Sequence, residues 1–404
     1  MDTKAPLHGL HVLDLSWVMA GPAATRYLSD LGAYVVKIES SARVDPLRTL
    51  PPFKAGQPGT ERSVSYHNHN AGKRSLTVDL KHPQGRELVL KLARWADVAV
   101  ESFTVRALRD MRLTYEDLEA ENPRLVMVST SLVGMTGPHA ASTTGVGTIG
   151  SALGGATFLV GWPDRPPAGP FGPWTDSVSP RFMVAAILAA LHRRKRTGEG
   201  CHIDLAQAEA GLQFLSPAAL DYAVNGIVPT RRGSWSDLRV PQGSYPCAGD
   251  DRWVAIDASA AADWNALRAA TGDALVDPRF DTLIGRLRHR QLVDTALAAW
   301  TADQDADAVE ARLQAAGVPA HVVSRSGDIS RDPQVRTSGY LRPIDDPVIG
   351  DAEVEGPRFS LDRTPHVPVR RGPLIGEHTA EILRDACGLD DQEIADLAAA
   401  GVLA

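Results

Sequence analysis

The first half of the chain alternates short apolar segments with amphipathic ones. Five apolar segments have the length and composition of buried strands: 10–15, 33–39, 75–80, 96–100 and 125–129. Three segments between them have helical periodicity: 23–31, 83–95 and 115–121. Strands that alternate with helices pair in parallel, so this pattern predicts an α/β domain with a parallel sheet. Residues 40–68 are polar and rich in Pro and Gly, which predicts a long loop.

Residues 170–205 begin with a Gly- and Pro-rich turn, continue as an apolar helix over 182–191 and end as a strand over 201–205. Pro180 suits the first turn of that helix, where a missing N–H matters little. This places Asp176 just before the N-terminus of a buried helix. Asp is favoured as a helix N-cap, and a nearby helix N-terminus also keeps a carboxylate ionised, as a nucleophile requires. Both roles stay open for Asp176.

The second half predicts a smaller α+β domain. Residues 245–257 have the pattern of a hairpin around 249–251, and 318–323 have the pattern of a strand. Residues 262–318 between them are helical. Seven apolar side chains of this block are expected to be buried: Trp264, Leu267, Leu292, Leu297, Trp300, Val309 and Leu313. The C-terminal residues 377–399 are expected to form one helix.

The composition excludes several classes of function. The net charge of −7 and the pI near 6 argue against a nucleic-acid-binding surface. Three cysteines without a CxxC motif indicate a reducing compartment and no structural zinc. The longest apolar run, from Phe182, is shorter than the roughly 20 residues that span a membrane. The N-terminal residues lack the apolar core of a signal peptide. We therefore expect a cytoplasmic protein with no membrane partner.

Few catalytic motifs are present. The sequence has no G-x-S-x-G, H-E-x-x-H or P-loop motif, and the turn at Ala20-Gly21-Pro22 is not G-x-G-x-x-G. That turn could still meet a phosphate, because it precedes a predicted helix. The Gly-rich residues 133–175 would let the backbone approach a ligand closely. Asp176 is the best single catalytic candidate.

Several ordered segments resemble the class III CoA-transferases, the family of formyl-CoA transferase and carnitine CoA-transferase, which also includes α-methylacyl-CoA racemase. The similar segments run through nearly the whole chain: GLHVLDLSWVMAGP (9–22), LGAYVVKIE (31–39), GKRSLTVDL (72–80), ADVAVESF (96–103), the region of Asp176, 186–205, 241–257, 313–320 and 372–383. Each segment alone is weak. Their order is what makes the resemblance specific.

The resemblance implies a fold and an assembly. It predicts a Rossmann-like large domain, a smaller α+β domain and an interlocked homodimer, with a heteromer as the alternative. The boundaries that it implies are a large CoA-binding domain at 1–205, a linker at 206–228, a small domain at 229–330, a linker at 331–355 and a return to the large domain at 356–404.

The resemblance also implies an activity. Asp176 would attack an acyl-CoA thioester, form an acyl-aspartyl anhydride and then an enzyme–CoA thioester, and pass CoA to a small carboxylic acid. No metal and no cofactor beyond CoA or acyl-CoA as substrate is implied. Backbone N–H groups of the Gly-rich residues 133–155 would stabilise the oxyanion. The CoA contacts of the family fall on seven residues: Met19, Ala20, Asn70, Lys73, Arg74, Phe103 and Met111.

Two other functions remain as alternatives. A racemase or isomerase of the same family would need a second proton-transfer group, and the position where racemases carry His is Val146 here. A non-catalytic CoA-binding subunit of a heteromeric transferase is the other alternative. The presence of Asp176 counts against it.

Overall fold

The computed structural model describes residues 5–140, 142–364 and 369–404, which divide into two units. The first unit comprises the described residues up to 157, together with 169–229 and those from 336 onward. The second comprises 158–168 and 230–335. The domain and linker boundaries expected from the sequence stay a prediction.

The first unit is built on a six-stranded sheet. Its strands are β1 (His11–Asp14), β2 (Tyr34–Glu39), β3 (Arg74–Thr77), β4 (Val98–Glu101), β5 (Val126–Ser131) and β6 (Cys201–Ala206). All pairs are parallel, in the order β3-β2-β1-β4-β5-β6. The predicted parallel sheet and Rossmann-like order are confirmed. The order reverses between β1 and β4, and open sheets of this kind bind ligands beyond the carboxyl ends of the strands at that point.

Alternate residues of the central strands enter two separate cores. Leu13, Ala99 and Met127 belong to one core. Val12 and Val98, on the opposite face, belong to the other. Because both faces are covered, the strands appear in the sequence as continuous apolar runs rather than as an alternation.

Helices cover both faces of this sheet. The helices from the N-terminus to residue 225 are α1 (Ala20–Asp30), α2 (Val64–His69), α3 (Pro83–Trp95), α4 (Val105–Met111), α5 (Tyr115–Glu119), α6 (Gly147–Leu153), α7 (Ala156–Leu159), α8 (Trp174–Thr197), α9 (Gln207–Leu212) and α10 (Ser216–Asn225). Residues 40–68, predicted to be a loop, contain two 3₁₀ turns, Pro46–Thr49 and Lys54–Gly56, and most of α2.

Helix α8 begins earlier than predicted. Its N-cap position is Pro173, so Asp176 lies inside the first turn and is not the N-cap. Pro180 lies within the helix rather than at its start. The sequence prediction was wrong because a proline removes only one helical hydrogen bond, the one to the carbonyl of Asp176. The capping role left open for Asp176 is therefore excluded.

The second unit has a small antiparallel sheet. Its strands β7 (Gln242–Cys247), β8 (Arg252–Asp257) and β9 (Ala320–Val322) pair in that order. The helices of this part are α11 (Ala261–Thr271), α12 (Leu283–Arg288), α13 (Arg290–Thr301), α14 (Ala306–Ala315) and α15 (Ser326–Arg331). The predicted α+β composition and hairpin are confirmed.

Most of the predicted core of the second unit is buried. Trp264, Leu267, Leu297, Val309 and Leu313 lie in one apolar cluster, with Trp300 packed against it. The prediction for Leu292 was wrong, since that side chain is 41% exposed. Its neighbour Val293 occupies the buried face of α13 instead.

The C-terminal part contains α16 (Pro333–Ser338), the hairpin β10 (Leu341–Ile344) and β11 (Ala352–Glu355), α17 (Thr379–Cys387) and α18 (Asp391–Ala399). The single helix predicted for 377–399 is interrupted at Gly388, which adopts a left-handed conformation. Ile382 and Leu383 of α17 join the same core as Leu13. Within the described residues, no helix has the length and apolar character needed to cross a membrane. The cytoplasmic location stays a prediction.

Candidate functional site

A cavity of about 210 Å³ lies at the carboxyl ends of β1, β4 and β5. We call it the strand-end cavity. The residues that line it are 17–20, 102–105, 130–132, 140, 143–146, 176 and 207. Four residues singled out from the sequence therefore meet here: Met19, Ala20, Phe103 and Asp176. Their position agrees with the general rule for ligand sites in sheets of this order.

The turn after β1 is held in an unusual conformation. Val18 has a φ of 65°, which is rare for a β-branched residue and costs conformational energy. Its N–H donates to Asp45 Oδ1 at 3.0 Å, and the N–H of Trp17 donates to Ser102 Oγ at 2.8 Å. Across the cavity, the N–H of Phe103 donates to Glu101 Oε2 at 2.7 Å. These bonds fix the backbone on both sides of the cavity.

Asp176 is only 5% exposed, although it lines the cavity. The N–H of Gly147, the first residue of α6, donates to Asp176 Oδ2 at 3.1 Å. Burial raises the pKa of Asp176 to about 6, and the Gly147 N–H opposes part of that rise. The carboxylate is therefore ionised at neutral pH and more basic than an ordinary aspartate, which favours nucleophilic attack.

Glycines allow α6 to approach the first turn of α8. A Cβ on Gly147 would lie 2.8 Å from the backbone nitrogen of Asp176, and a Cβ on Gly150 would lie 2.3 Å from Thr175 Oγ1. Both distances are too short for a real Cβ contact, and the contact at Gly147 is with backbone, which cannot move aside. A larger residue therefore does not fit at either position. This close packing fixes the position of the Asp176 carboxylate. The Gly-rich stretch thus supplies an N–H to the carboxylate; its role at an oxyanion stays a prediction.

Three polar side chains that the sequence did not single out also line the strand-end cavity. Thr130 Oγ1, Ser131 Oγ and Gln207 Oε1 are buried oxygens with no hydrogen-bond partner among the described residues. An unpaired buried polar group costs about 1–3 kcal/mol, so such groups are expected to bond to a ligand. Thr130 and Ser131 end β5, and Gln207 begins α9 directly after β6. Their position at or just after the end of a predicted strand was the signal in the sequence that could have identified these residues.

A second cavity, of about 250 Å³, also reaches Asp176. We call it the arginine cavity, because Arg26, Arg181 and Arg358 line it. Met19 and Asp176 are the residues that it shares with the strand-end cavity. These two residues therefore form part of the wall of both cavities.

Four predicted CoA contacts line neither of these cavities. Asn70 and Lys73 are buried, and the three ammonium hydrogens of Lys73 face Asp14 Oδ2 at 2.8 Å, the carbonyl of Pro22 at 2.9 Å and Asn70 Oδ1 at 2.8 Å. The Lys73 ammonium group therefore has three acceptors within the first unit. The role of these residues in CoA binding stays a prediction.

The other two, Arg74 and Met111, are placed by packing and charge. Arg74 pairs with Glu381 at 3.0 Å and lies over the ring of Tyr34. Met111 packs against the core of the first unit. Their assignment as CoA contacts also stays a prediction.

Buried charges support the turn after β1. Asp14 ends β1, pairs with Lys73, and accepts hydrogen bonds from Thr25 Oγ1 at 2.7 Å and from the Ser16 N–H at 3.0 Å. Lys37 pairs with Asp45 at 3.0 Å and donates to the carbonyl of Ser16 at 2.8 Å. All four charged side chains are fully buried. Their charges balance, as burial requires.

Residues 7–379 match CoA-transferase family III. The succinyl-CoA–D-citramalate CoA-transferase of Chloroflexus aurantiacus is 32% identical over 400 residues, which cover 98% of each chain. The succinyl-CoA:mesaconate CoA-transferase of Haloarcula hispanica is 33% identical over 387 residues, or 94% of this chain and 96% of the relative. A solved structure of a CAIB/BAIF family protein from Brucella suis is 31% identical, covers 95% of this chain and 99% of that chain, and has a TM-score of 0.86.

Proposed function

This chain belongs to CoA-transferase family III, and from that premise we propose that it transfers CoA from an acyl-CoA to a carboxylic acid through covalent intermediates on Asp176. The family and the CoA-transferase activity that the sequence predicted are confirmed. The covalent mechanism is the proposed part. The observation that carries it is the buried carboxylate of Asp176, with its raised pKa, in the wall of the strand-end cavity.

The proposed reaction consists of four nucleophilic substitutions at acyl carbons. An oxygen of Asp176 attacks the thioester carbonyl, the C–S bond breaks, and CoA leaves as the thiolate. The thiolate then attacks the carboxyl carbon of Asp176 in the anhydride, which releases the first acid and leaves an enzyme–CoA thioester. The carboxylate of the acceptor attacks the carbonyl carbon of this thioester, the C–S bond breaks, CoA leaves again as the thiolate, and a new anhydride forms. CoA finally attacks the acyl carbon of that anhydride, and Asp176 is regenerated.

The residues around Asp176 fit the needs of these exchanges. Each passes through a tetrahedral oxyanion, which hydrogen-bond donors fixed in advance stabilise. The hydroxyls of Thr130 and Ser131 are unpaired donors of the same cavity within the described residues. The Gly147 N–H stays near the carboxyl group of Asp176 throughout. Burial of Asp176 keeps water from the anhydride, which would otherwise hydrolyse.

We propose dicarboxylic acids and their CoA thioesters as the substrate class. The relatives from Chloroflexus aurantiacus and Haloarcula hispanica are named for succinyl-CoA with citramalate or mesaconate, and each of the three acyl parts is a dicarboxylic acid. Identities of 32% and 33% support the class of acid and leave the particular acid to experiment.

The decisive experiment traps the intermediate. The protein is mixed with excess succinyl-CoA, free CoA is measured, and hydroxylamine is added before the modified peptide is located by mass. We expect one CoA released per active site and a hydroxamate at Asp176. Release of CoA without modification of this residue would contradict the mechanism. No release from succinyl-, glutaryl- or acetyl-CoA, despite CoA binding, would favour the non-catalytic subunit.

The pH dependence of this first step is a separate prediction. Only ionised Asp176 can attack, and its pKa is about 6. The single-turnover rate of CoA release should therefore be constant above about pH 7 and fall tenfold for each pH unit below about pH 6. Stopped-flow measurements between about pH 4.5 and 8.5 check this. A rate that stays constant down to about pH 4.5 would contradict a nucleophile with a raised pKa.

We propose that the protein assembles as a homodimer, with a heteromer as the alternative. Helix α10 has no buried residue, and it exposes Leu220, Tyr222 and Val224, while Ile227 and Val228 beyond it are also exposed. Several exposed large apolar side chains in one segment are typical of a protein interface. Light scattering of the purified chain should give twice its mass of 43.2 kDa. A monomer at micromolar concentration would favour a different partner chain.

A further inference from the structure

The three guanidinium groups of the arginine cavity are not equivalent. Arg26 and Arg358 each approach Asp30 at 3.5 Å, and Arg358 also pairs with Glu355. Arg181 pairs with no carboxylate among the described residues, and its guanidinium donates instead to the carbonyl of Ser177 in its own helix. Arg181 is exposed, so its remaining N–H groups are open to a ligand. Within the described residues, it is the unmatched positive charge of this cavity.

The strand-end cavity lacks such a charge. Over the described part of the chain, its lining includes no lysine or arginine, and Asp176 is its one ionised group. A second carboxylate on the acyl group would find no cationic partner among the described residues that line it. The positive charge that would match the second carboxylate of a dicarboxylic substrate therefore lies in the arginine cavity.

We propose that the arginine cavity holds the acyl chain beyond the reacting carbonyl and that Arg181 binds its second carboxylate. CoA would then reach Asp176 through the strand-end cavity, and the acid would lie past Met19. Arg181 follows Asp176 by five residues in α8, about 7.5 Å along the helix axis. A short diacid and an extended arginine side chain span such a distance. The planar guanidinium also matches a carboxylate with two hydrogen bonds.

This inference rests on the proposed function but adds a determinant of specificity to it. It predicts that Arg181 recognises the group at the end of the acyl chain opposite the thioester. Succinyl-CoA and butyryl-CoA both carry four-carbon acyl groups. The far end of the acyl group is a carboxylate in succinyl-CoA and a methyl group in butyryl-CoA. The single-turnover release of CoA from each, in the same enzyme, therefore isolates the contribution of the second carboxylate.

The variant to compare is Arg181→Met, which keeps much of the length of the side chain and removes the charge. We expect it to lower the preference for succinyl-CoA over butyryl-CoA by at least about tenfold, the value of one hydrogen-bonded charge pair. The rate with butyryl-CoA should stay within about threefold of the parent rate, because that substrate makes no such pair. Arg181→Lys should restore part of the preference, since a lysine retains the charge without the planar fork.

Arg193→Met is the matched control. Arg193 lies in the same helix, pairs with Glu199 at 2.8 Å and lines neither cavity. It should leave the preference unchanged. An unaltered preference in Arg181→Met, or an equal fall with both substrates, would overturn the role of Arg181 while leaving the covalent mechanism intact. Absence of CoA release in the parent enzyme would instead refute the proposed function itself.

Discussion

Replacing Asp176 with asparagine should reduce the CoA-transferase rate by about three orders of magnitude or more and abolish the trapped hydroxamate. Asparagine has almost the same shape and can still accept the Gly147 N–H, so the packing of α6 against α8 should survive. What is lost is the anionic oxygen that forms the anhydride. Steady-state transfer between succinyl-CoA and glutarate, followed by chromatography of the CoA thioesters, measures the effect.

The same variant should be more stable than the parent protein at neutral pH. The folded-state pKa of Asp176, about 6, lies above its ordinary value of 3.8. The folded state therefore holds the proton more tightly, and the parent loses up to about 3 kcal/mol of stability as the pH rises from about 4 to about 6. This difference should disappear below about pH 4, where the carboxyl is protonated in both states. Thermal melts at about pH 4 and about pH 7.5 separate loss of the nucleophile from loss of the fold.

Asp391→Asn is the matched control for Asp176→Asn. Asp391 begins α18, has an exposed side chain that pairs with Arg384 at 2.7 Å, and lines neither cavity. The substitution should change activity by less than about twofold. Transfer activity retained in Asp176→Asn, with no contaminating parent enzyme, would exclude Asp176 as the nucleophile.

The sheet was predictable because the pattern that indicates it, short apolar segments that alternate with amphipathic ones, is visible in neighbouring residues. Strands covered on both faces are apolar along most of their length, as at 98–100 and 125–128, and short polar segments separate them from amphipathic helices. The family resemblance then added the role of Asp176, which no local pattern contains. Chain order alone also places the turn after β1 and the end of β4 side by side, once a parallel sheet with reversed order is assumed.

The rest of the site depends on contacts between distant segments. The start of α8 was misjudged because sequence rules treat Pro180 as a boundary, whereas packing against glycines of α6 keeps the preceding turn helical. The resemblance named Lys73 as a CoA contact, and nothing in the sequence indicated its ion pair with Asp14, which lies 59 residues earlier in the chain. Arg181 attracted no interest in the sequence, because an arginine without a carboxylate partner is recognisable only when the neighbouring chain is in place.

Replacing Asp14 with asparagine should destabilise the fold more than Asp176→Asn or Arg181→Met does. Asp14 is fully buried, and although burial alone would raise its pKa, the ammonium groups of Lys73 and Lys37 hold it at about 2. Asparagine would leave the buried ammonium groups of Lys73 and Lys37 without the negative charge of Asp14. Breaking a buried pair in this way costs about 3–5 kcal/mol, which urea unfolding at about pH 7 would measure.

The pH dependence and a double variant test the cause of that loss. The ordinary pKa of Asp14 is 3.8, so its stabilising effect is present above about pH 4 and is lost as the pH falls towards about 2. The difference in the free energy of unfolding between the parent protein and Asp14→Asn should become smaller as the pH falls over that range. Combining Asp14→Asn with Lys73→Met removes both charges of the pair, so the double variant should be destabilised by less than the sum of the single variants.

The matched control is Asp110→Asn, which makes the same substitution in an exposed pair. Asp110 lies 3.5 Å from Arg106 with 69% of its side chain exposed, and its loss should not change the urea midpoint measurably. Equal effects of the two substitutions would contradict the argument from burial. Because Asp14 supports the turn that carries Met19 and Ala20, the fraction of Asp14→Asn that remains folded should also bind acyl-CoA more weakly. Weaker binding would show that buried charges in this fold stabilise the shape of the ligand site as well as the sheet beneath it.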